Sequence, residues 1–277
     1  MKSFNSSIIE KPLISIVTVV FNAEKTVETT IQSVISQSYG KHEYIIIDGG
    51  STDETVNIVK RYNDSIAYWV SESDKGLYNA MNKGIQVAKG EFITFLNGDD
   101  TYLCNTVVEE FVAEINDSNS VYFGNAIING EGSSWLIPPS NTGSKINDWL
   151  KKYHPCHQTV FYPRNFYKAV YYNESMGSTA DADFTLKAYE NHTFKHINVS
   201  LAKFSLGGES NDFSSFRKAQ ANYNSQINLR LLHRDRYSSS GDIFYFLRHW
   251  TKFLLFKLGG FRLQHFGMFL HKTLFWR

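Results

Sequence analysis

Four short apolar runs in the first third of the chain each end in a turn rich in side-chain oxygens, and an amphipathic stretch separates each run from the next. The runs are Leu13 to Val20, Tyr44 to Asp48, Ile66 to Val70 and Glu91 to Leu96. Short apolar runs bounded by turn residues suit strands covered on both faces. Between them three sets of apolar residues recur at helical spacing: Val27, Ile31, Val34 and Ile35; Ile58, Val59 and Tyr62; Leu77, Ala80, Met81, Gly84 and Ala88. Asn22 is placed to cap the first helix, Ser51 and Glu54 have capping-box spacing on the second, and Gly90 is placed to stop the third. Strand and helix in alternation mean an α/β chain with a doubly wound, mostly parallel sheet. In such sheets ligands bind beyond the carboxyl ends of the strands.

The polar residues fall at those ends: Asn22 after the first run, Asp48 and Asp53 after the second, Asp74 after the third, Asp99 and Asp100 after the fourth. Adjacent carboxylates repel, and burying them unpaired is costly. A hard divalent cation, which prefers oxygen ligands, relieves that repulsion. The competing explanation is that an acid only caps the following helix, and Asp53 is the first choice for that role. No Gly-x-Gly-x-x-Gly follows the first strand and no Walker-type lysine loop is present, so the usual backbone cradles for dinucleotides and triphosphates are missing. An acidic crevice without them reaches a phosphate ester through a metal bridge.

The remaining sequence is less regular. A helix is expected over Asn105 to Ile115, a strand over Val121 to Asn125 and a loop from Ile137 to Lys145. His154 to Phe161 reads as a polar turn entering a strand, with His154 as a packed histidine bonded to backbone. Ser178 to Asp183 leads into a helix through Phe184, Leu186, Ala188 and Tyr189, and Phe194 to Val199 is a short strand. At 277 residues, 42% hydrophobic and 15% aromatic, the chain has the material for a sizeable core, which argues against wholesale disorder. Cys104 and Cys156 have neither disulfide-scaffold density nor metal-site spacing, so a reducing, cytoplasmic setting is expected. No run of about 18 uncharged apolar residues occurs. Leu13 to Val20 lacks a basic leader and a cleavage site, so it reads as a strand and not as a signal core.

Taken together, Ser15 to Asn22, Ile47 to Asp53 (Ile-Asp-Gly-Gly-Ser-Thr-Asp), Ser73 to Gly84 and Phe95 to Asp100 (Phe-Leu-Asn-Gly-Asp-Asp) resemble the glycosyltransferase family 2 pattern on a GT-A, Rossmann-like fold. The likeness extends more loosely to His157-Gln158, to Ala180 to Asp183 and to Leu206 to Ser210. It implies a catalytic domain over residues 1–210, with a nucleotide-sugar half at about 11–104 and an acceptor half at about 105–210. It also implies transfer, with inversion, of a sugar from a nucleotide-diphosphate donor, UDP for choice, to an acceptor hydroxyl. By the same likeness Thr18, Phe21, Asn22 and Asp48 would meet the nucleotide, Phe21 by stacking and Asp48 by accepting a base N–H. Asp74, Lys75, Asn82 and Asp100 would line the pocket. Asp99 would hold the cation, Mn2+ or Mg2+, with Asn97 standing where many members carry the first acid of the Asp-x-Asp motif. Asp181 matches the family's base position, and Asp183 is its rival. His157 and Gln158 would face the donor or acceptor cleft.

Arg217 to the C-terminus holds 11 Lys+Arg against 2 Asp+Glu, so this tail carries about +9 and the body about −8. Phe244, Tyr245, Phe246, Trp250 and Phe253 accompany Arg248 and Lys252, and the pattern repeats through Arg277. Residues 211–277 therefore read as a helical extension lying in a membrane interface, on anionic lipid. The alternative is a helical pair packed on the catalytic domain or on a second copy, as in a homo-oligomer. Nucleic acid is disfavoured, because the acidic body repels phosphate. The acceptor expected from the tail and the resemblance is a saccharide, lipid-linked, assembled on the inner face of the cytoplasmic membrane as in polysaccharide or O-antigen synthesis. A sugar-1-phosphate nucleotidyltransferase would want a glycine-rich basic loop after the first strand, which Val19 to Glu24 is not. A binding module without turnover is favoured only by Asn97.

Overall fold

The computed structural model describes residues 11–130, 133–139, 142–150 and 154–205, together with 229, 232 and 233. The chain divides into two compact units, Met1–Tyr172 with Phe184–Ser205, and Asn173–Asp183 with Leu206–Arg277. Most of the predicted extension, 211–277, lies outside the described residues, including both of its aromatic stretches. Among the described residues no helix is long and apolar enough to cross a membrane.

In the first unit the alternation is realised as read: β1 Ile14–Val20, α1 Val27–Ile35, β2 His42–Asp48, α2 Thr55–Arg61, β3 Tyr68–Ser71, α3 Leu77–Val87 and β4 Phe92–Phe95. All seven residues of β1 are buried, Ser15 and Thr18 among them, as in a strand covered on both faces. β1 pairs in parallel with β2 from Ile14↔His42 to Val20↔Asp48, and with β4 from Ile14↔Phe92 to Val17↔Phe95. β3 pairs in parallel with β2 and closes that edge, and its end residues Tyr68 and Ser71 are exposed. Fully burying residues such as Ile14, Ile16, Val17 and Ile46 stabilises by about 1.5–3 kcal/mol each. Helix α3 presses on β1 at Gly84, where an added Cβ would sit 2.5 Å from Val17 Cγ1.

Antiparallel pairing enters in the second half. There follow β5 Thr101–Tyr102, α4 Val107–Ala113, β6 Val121–Gly130, β7 Ser133–Ile137, α5 Ile146–Leu150, β8 Val160–Pro163, α6 Arg164–Tyr167, α7 Ala180–Asn191 and β9 Phe194–Ser205. The sheet order is β3-β2-β1-β4-β8-β6-β9-β5, with β7 on β6. β8 runs antiparallel between β4 and β6, which joins the two halves of the sheet. β6 and β9 are longer than their apolar cores suggested because they pair with each other in parallel, through register shifts near Asn125. The two-residue β5 was not foreseen; it is held by β9 at Thr101↔Lys203 and Tyr102↔Ala202.

Three local expectations are corrected. Asn22 does not cap α1, which begins at Val27; it adopts a left-handed φ of 48° and its side-chain oxygen accepts from Thr52 N. Ser51 and Glu54 form no capping box, because Ser51 Oγ donates to Asp48 and accepts from Asn22 N. Gly90 is no left-handed stop. It is a point of close approach, where a Cβ would meet Ser15 N at 2.5 Å and Phe92 O at 2.6 Å.

The second unit contains a 3-10 segment at Glu174–Thr179, the first turn of α7 and the described residues of the tail. Asn173 caps the 3-10 segment by accepting from Ser175 N at 3.2 Å.

Candidate active site

The carboxyl ends of β2, β1 and β4 form one lip. Gly49 N donates to Val20 O on one side of β1, and Gly98 N donates to Val19 O on the other. Each glycine permits a close approach: a Cβ at Gly49 would meet Asp74 Oδ2 at 2.6 Å, and one at Gly98 would meet Val20 Cγ1 at 2.5 Å. Asp48, Asp74 and the Asn97–Asp100 turn are thereby gathered around Val20. Asp74 also accepts from Gly76 N at 2.8 Å, which shapes the turn before α3 and leaves Lys75 exposed beside it. Phe21, the next residue along β1, is 62% exposed.

The loops after β1 and β2 are tied by side chains. Asn22 N donates to Ser51 Oγ at 2.7 Å, and Thr52 N donates to Asn22 Oδ1 at 2.9 Å. Asp53 accepts from Thr55 N and Glu24 N; it stands one residue before Glu54, the N-cap of α2, and does not itself take the capping position expected of it. These bonds hold its carboxyl below the usual range against the opposing effect of burial. Asp48 is 1% exposed. It accepts from Gly50 N, Ser51 N and Ser71 Oγ at Oδ2 and from Ser51 Oγ at Oδ1, so the acceptor capacity left on the carboxylate is on Oδ1. Ser71, exposed at the end of β3, is the donor on the rim.

At the β4 end, Asp99 is exposed while Asp100 is 2% exposed. Burial, and then the charge of Asp99, push the Asp100 carboxyl up to about 7. Gln158 Nε2 donates to Asp100 Oδ2 at 3.0 Å, and Asn97 Nδ2 lies 3.4 Å from His157 Nε2. The short turn His157–Thr159 thus docks on the acidic tip from sixty residues away in sequence, as the antiparallel placement of β8 beside β4 dictates. His154 bonds the Pro155 carbonyl as expected, but it is exposed and not packed.

Two predicted pocket residues are engaged within the protein. Thr18 is 0% exposed inside β1 and accepts from Tyr44 Oη at 3.1 Å. Asn82 donates to Tyr172 O at 3.0 Å and accepts from Tyr172 N at 2.8 Å, fastening α3 to that main chain with both ends of its amide. In the second unit, Asp181 is partly exposed in the first turn of α7, whereas Asp183 is 0% exposed and accepts from His233 Nε2 at 2.9 Å.

Residues 15–191 match the family described as Glycosyl transferase family 2. The chain belongs to that family. A PGL/p-HBAD biosynthesis glycosyltransferase of Mycobacterium bovis is 30% identical over 210 residues, which are 72% of this chain and 80% of the relative. An uncharacterized glycosyltransferase of Mycobacterium tuberculosis is 32% identical over 184 residues, 64% of this chain and 69% of the relative. Among solved structures, Staphylococcus aureus TarS 1-349 in complex with UDP has a TM-score of 0.59 at 21% identity, over 78% of this chain and 65% of that one. Mannosyltransferase PcManGT from Pyrobaculum calidifontis, in complex with GDP-Man and Mn2+, has a TM-score of 0.60 at 14% identity, over 96% of this chain and 76% of that one. These likenesses show the GT-A fold.

A family 2 site calls for hard oxygen donors at the β4 tip, and those present fit a divalent cation. Among the described residues Asn97 Oδ1 is buried and accepts no hydrogen bond, and Asp99 stands exposed two residues on. No three His, Cys, Asp or Glu side chains cluster among the described residues. Sites that take Mg2+ through one or two protein oxygens and substrate phosphates need no such cluster. The sequence reading missed Ser51 and Ser71, which hold Asp48. Ser51 was legible as a helix cap inside the family motif and not as a partner of Asp48, and Ser71 carried no signal because its role depends on β3 lying beside β2.

Proposed function

We propose that this family 2 member is a metal-dependent inverting transferase using a UDP-sugar and delivering the sugar to a hydroxyl of a lipid-linked saccharide in cell-surface polysaccharide synthesis. The observation that carries the donor side is the single lip holding exposed Phe21, Asp74 and exposed Asp99 around the end of β1. Phe21 offers a face for the base, and Asp48 takes a base N–H at Oδ1, which accepts only from Ser51 Oγ. Asp99 and Asn97 would hold a divalent cation, which supplies charge neutralisation for the departing nucleoside diphosphate. Gln158 and His157 brace the tip from behind through Asp100 and Asn97. Asp181 takes the proton of the attacking hydroxyl as general base, a reading supported by its partial exposure while Asp183 is enclosed. The choice of UDP and of the acceptor rests on the family resemblance and on the basic, aromatic tail.

The experiment is hydrolysis and transfer assayed over a panel of nucleotide sugars with and without Mn2+. Asp99→Ala is expected to abolish metal-stimulated turnover, and turnover that persists in it overturns the metal assignment. Asp181→Asn is expected to abolish transfer yet bind UDP like the parent; loss of UDP binding removes the base assignment. Formation of a UDP-sugar from UTP and a sugar 1-phosphate would instead make the protein a nucleotidyltransferase.

A further inference from the structure

Asp183 has no exposed surface, and its Oδ1 accepts from the Nε2 of His233, a side chain only 8% exposed. Both residues belong to the second unit, as does Asp181. Removing one partner of an enclosed pair strands the other, so such contacts hold their elements in place. Asp181 and Asp183 share the first turn of α7. At 3.6 residues per turn, side chains two positions apart point about 200° away from each other around the helix axis. One acid is enclosed and bonded, and the other is partly exposed. Phe184 and Thr185 anchor the following turn through Tyr162, Phe166 and Tyr172, and the bond on Asp183 is a contact within the turn that also carries Asp181.

We infer that His233 is a positioning residue for sugar transfer: through Asp183 it fixes the direction in which Asp181 presents its carboxylate to the acceptor. The inference rests on Asp181 as general base. A carboxylate turned aside by about 1 Å costs on the order of 100-fold in rate, whereas the residues proposed for the nucleotide belong to the other unit.

The test uses the full chain, with kcat, donor KM, UDP binding and melting temperature measured for each variant. His233→Ala is expected to lower kcat on the order of 10- to 100-fold with donor KM and UDP affinity close to parental. His233→Gln, which keeps an N–H donor, is expected to restore most of kcat. A parental kcat in His233→Ala overturns the inference, and so does a loss that His233→Gln does not repair and that UDP binding shares. Should His233→Ala not fold, the double variant Asp183→Asn with His233→Phe keeps the volume without stranding a buried charge. It is expected to show the same selective loss of kcat, and a parental kcat in it also overturns the inference. Asp181→Asn separates the two levels. If it still transfers, the base assignment fails; if it is inactive while His233→Ala is parental, only the role of His233 fails.

Discussion

Thr18 and Phe21 lie three positions apart at the end of one strand, and burial alone gives them different work. Thr18 is sealed inside β1 against Tyr44, while Phe21 has left the sheet and is 62% exposed. An exposed aromatic ring at the rim of a polar lip suits the stacking role proposed for Phe21. Aromatic–base stacking contributes about 1–3 kcal/mol, so Phe21→Ala is expected to weaken UDP binding roughly 5- to 150-fold, read by calorimetry. Its melting temperature should stay parental, because the side chain packs little of the core; UDP binding as tight as the parent's would remove Phe21 from the site. Asp48 and Asn82 make the same point with polar groups. Both match family motifs, and both are engaged inside the protein, Asp48 by two serines and two backbone amides and Asn82 by Tyr172.

At the scale of elements, two glycines that look alike in sequence differ in what surrounds them. At Gly90 a Cβ would strike the backbone at Ser15 N and Phe92 O, and would crowd the Ser15 Oγ that accepts from Gly90 N. Gly90→Ala is expected to destabilise by about 1–3 kcal/mol in urea unfolding. Gly40, in the turn between α1 and β2, has nothing within 4 Å of its would-be Cβ, and Gly40→Ala should be neutral or stabilising by up to about 1 kcal/mol. A destabilised Gly40→Ala together with a neutral Gly90→Ala would contradict the packing described. The β6–β9 pairing carries its own pH signature. His196 on β9 contacts Asn125 Oδ1 at 2.8 Å and lies against Phe123, and burial holds its pKa below the usual histidine value. A histidine depressed in the folded state favours unfolding once the unfolded chain takes up its proton, so stability is complete above about pH 6.5 and declines as pH falls below it. The melting temperature should drop between about pH 7 and pH 5, and less steeply in His196→Gln; equal slopes would show that His196 does not titrate this way.

At the scale of the whole molecule, a net charge of +1 combines an acidic catalytic body with a strongly basic C-terminal stretch. If that stretch draws the protein to a membrane surface, the full chain should co-sediment with vesicles containing anionic lipid and not with neutral ones, and removal of residues 241–277 should abolish the difference. Binding that ignores lipid charge would favour packing of the tail on protein instead. The sequence by itself determined the parallel half of the sheet, the end of it that carries the acids, and the family, because strand and helix periods and the turn chemistry are local properties that survive being read in order. It did not determine β5, the length of β9, the docking of His157 and Gln158 on the acidic tip, or the engagement of Thr18 and Asn82 inside the protein. It favoured Asp181 over Asp183 by likeness to the family's base position and could not tell that Asp183 is enclosed. Those outcomes depend on contacts between residues tens of positions apart, such as His233 with Asp183 and Ser71 with Asp48. Burial and hydrogen-bond saturation are properties of a neighbourhood, and a neighbourhood exists only once the strands have been laid side by side.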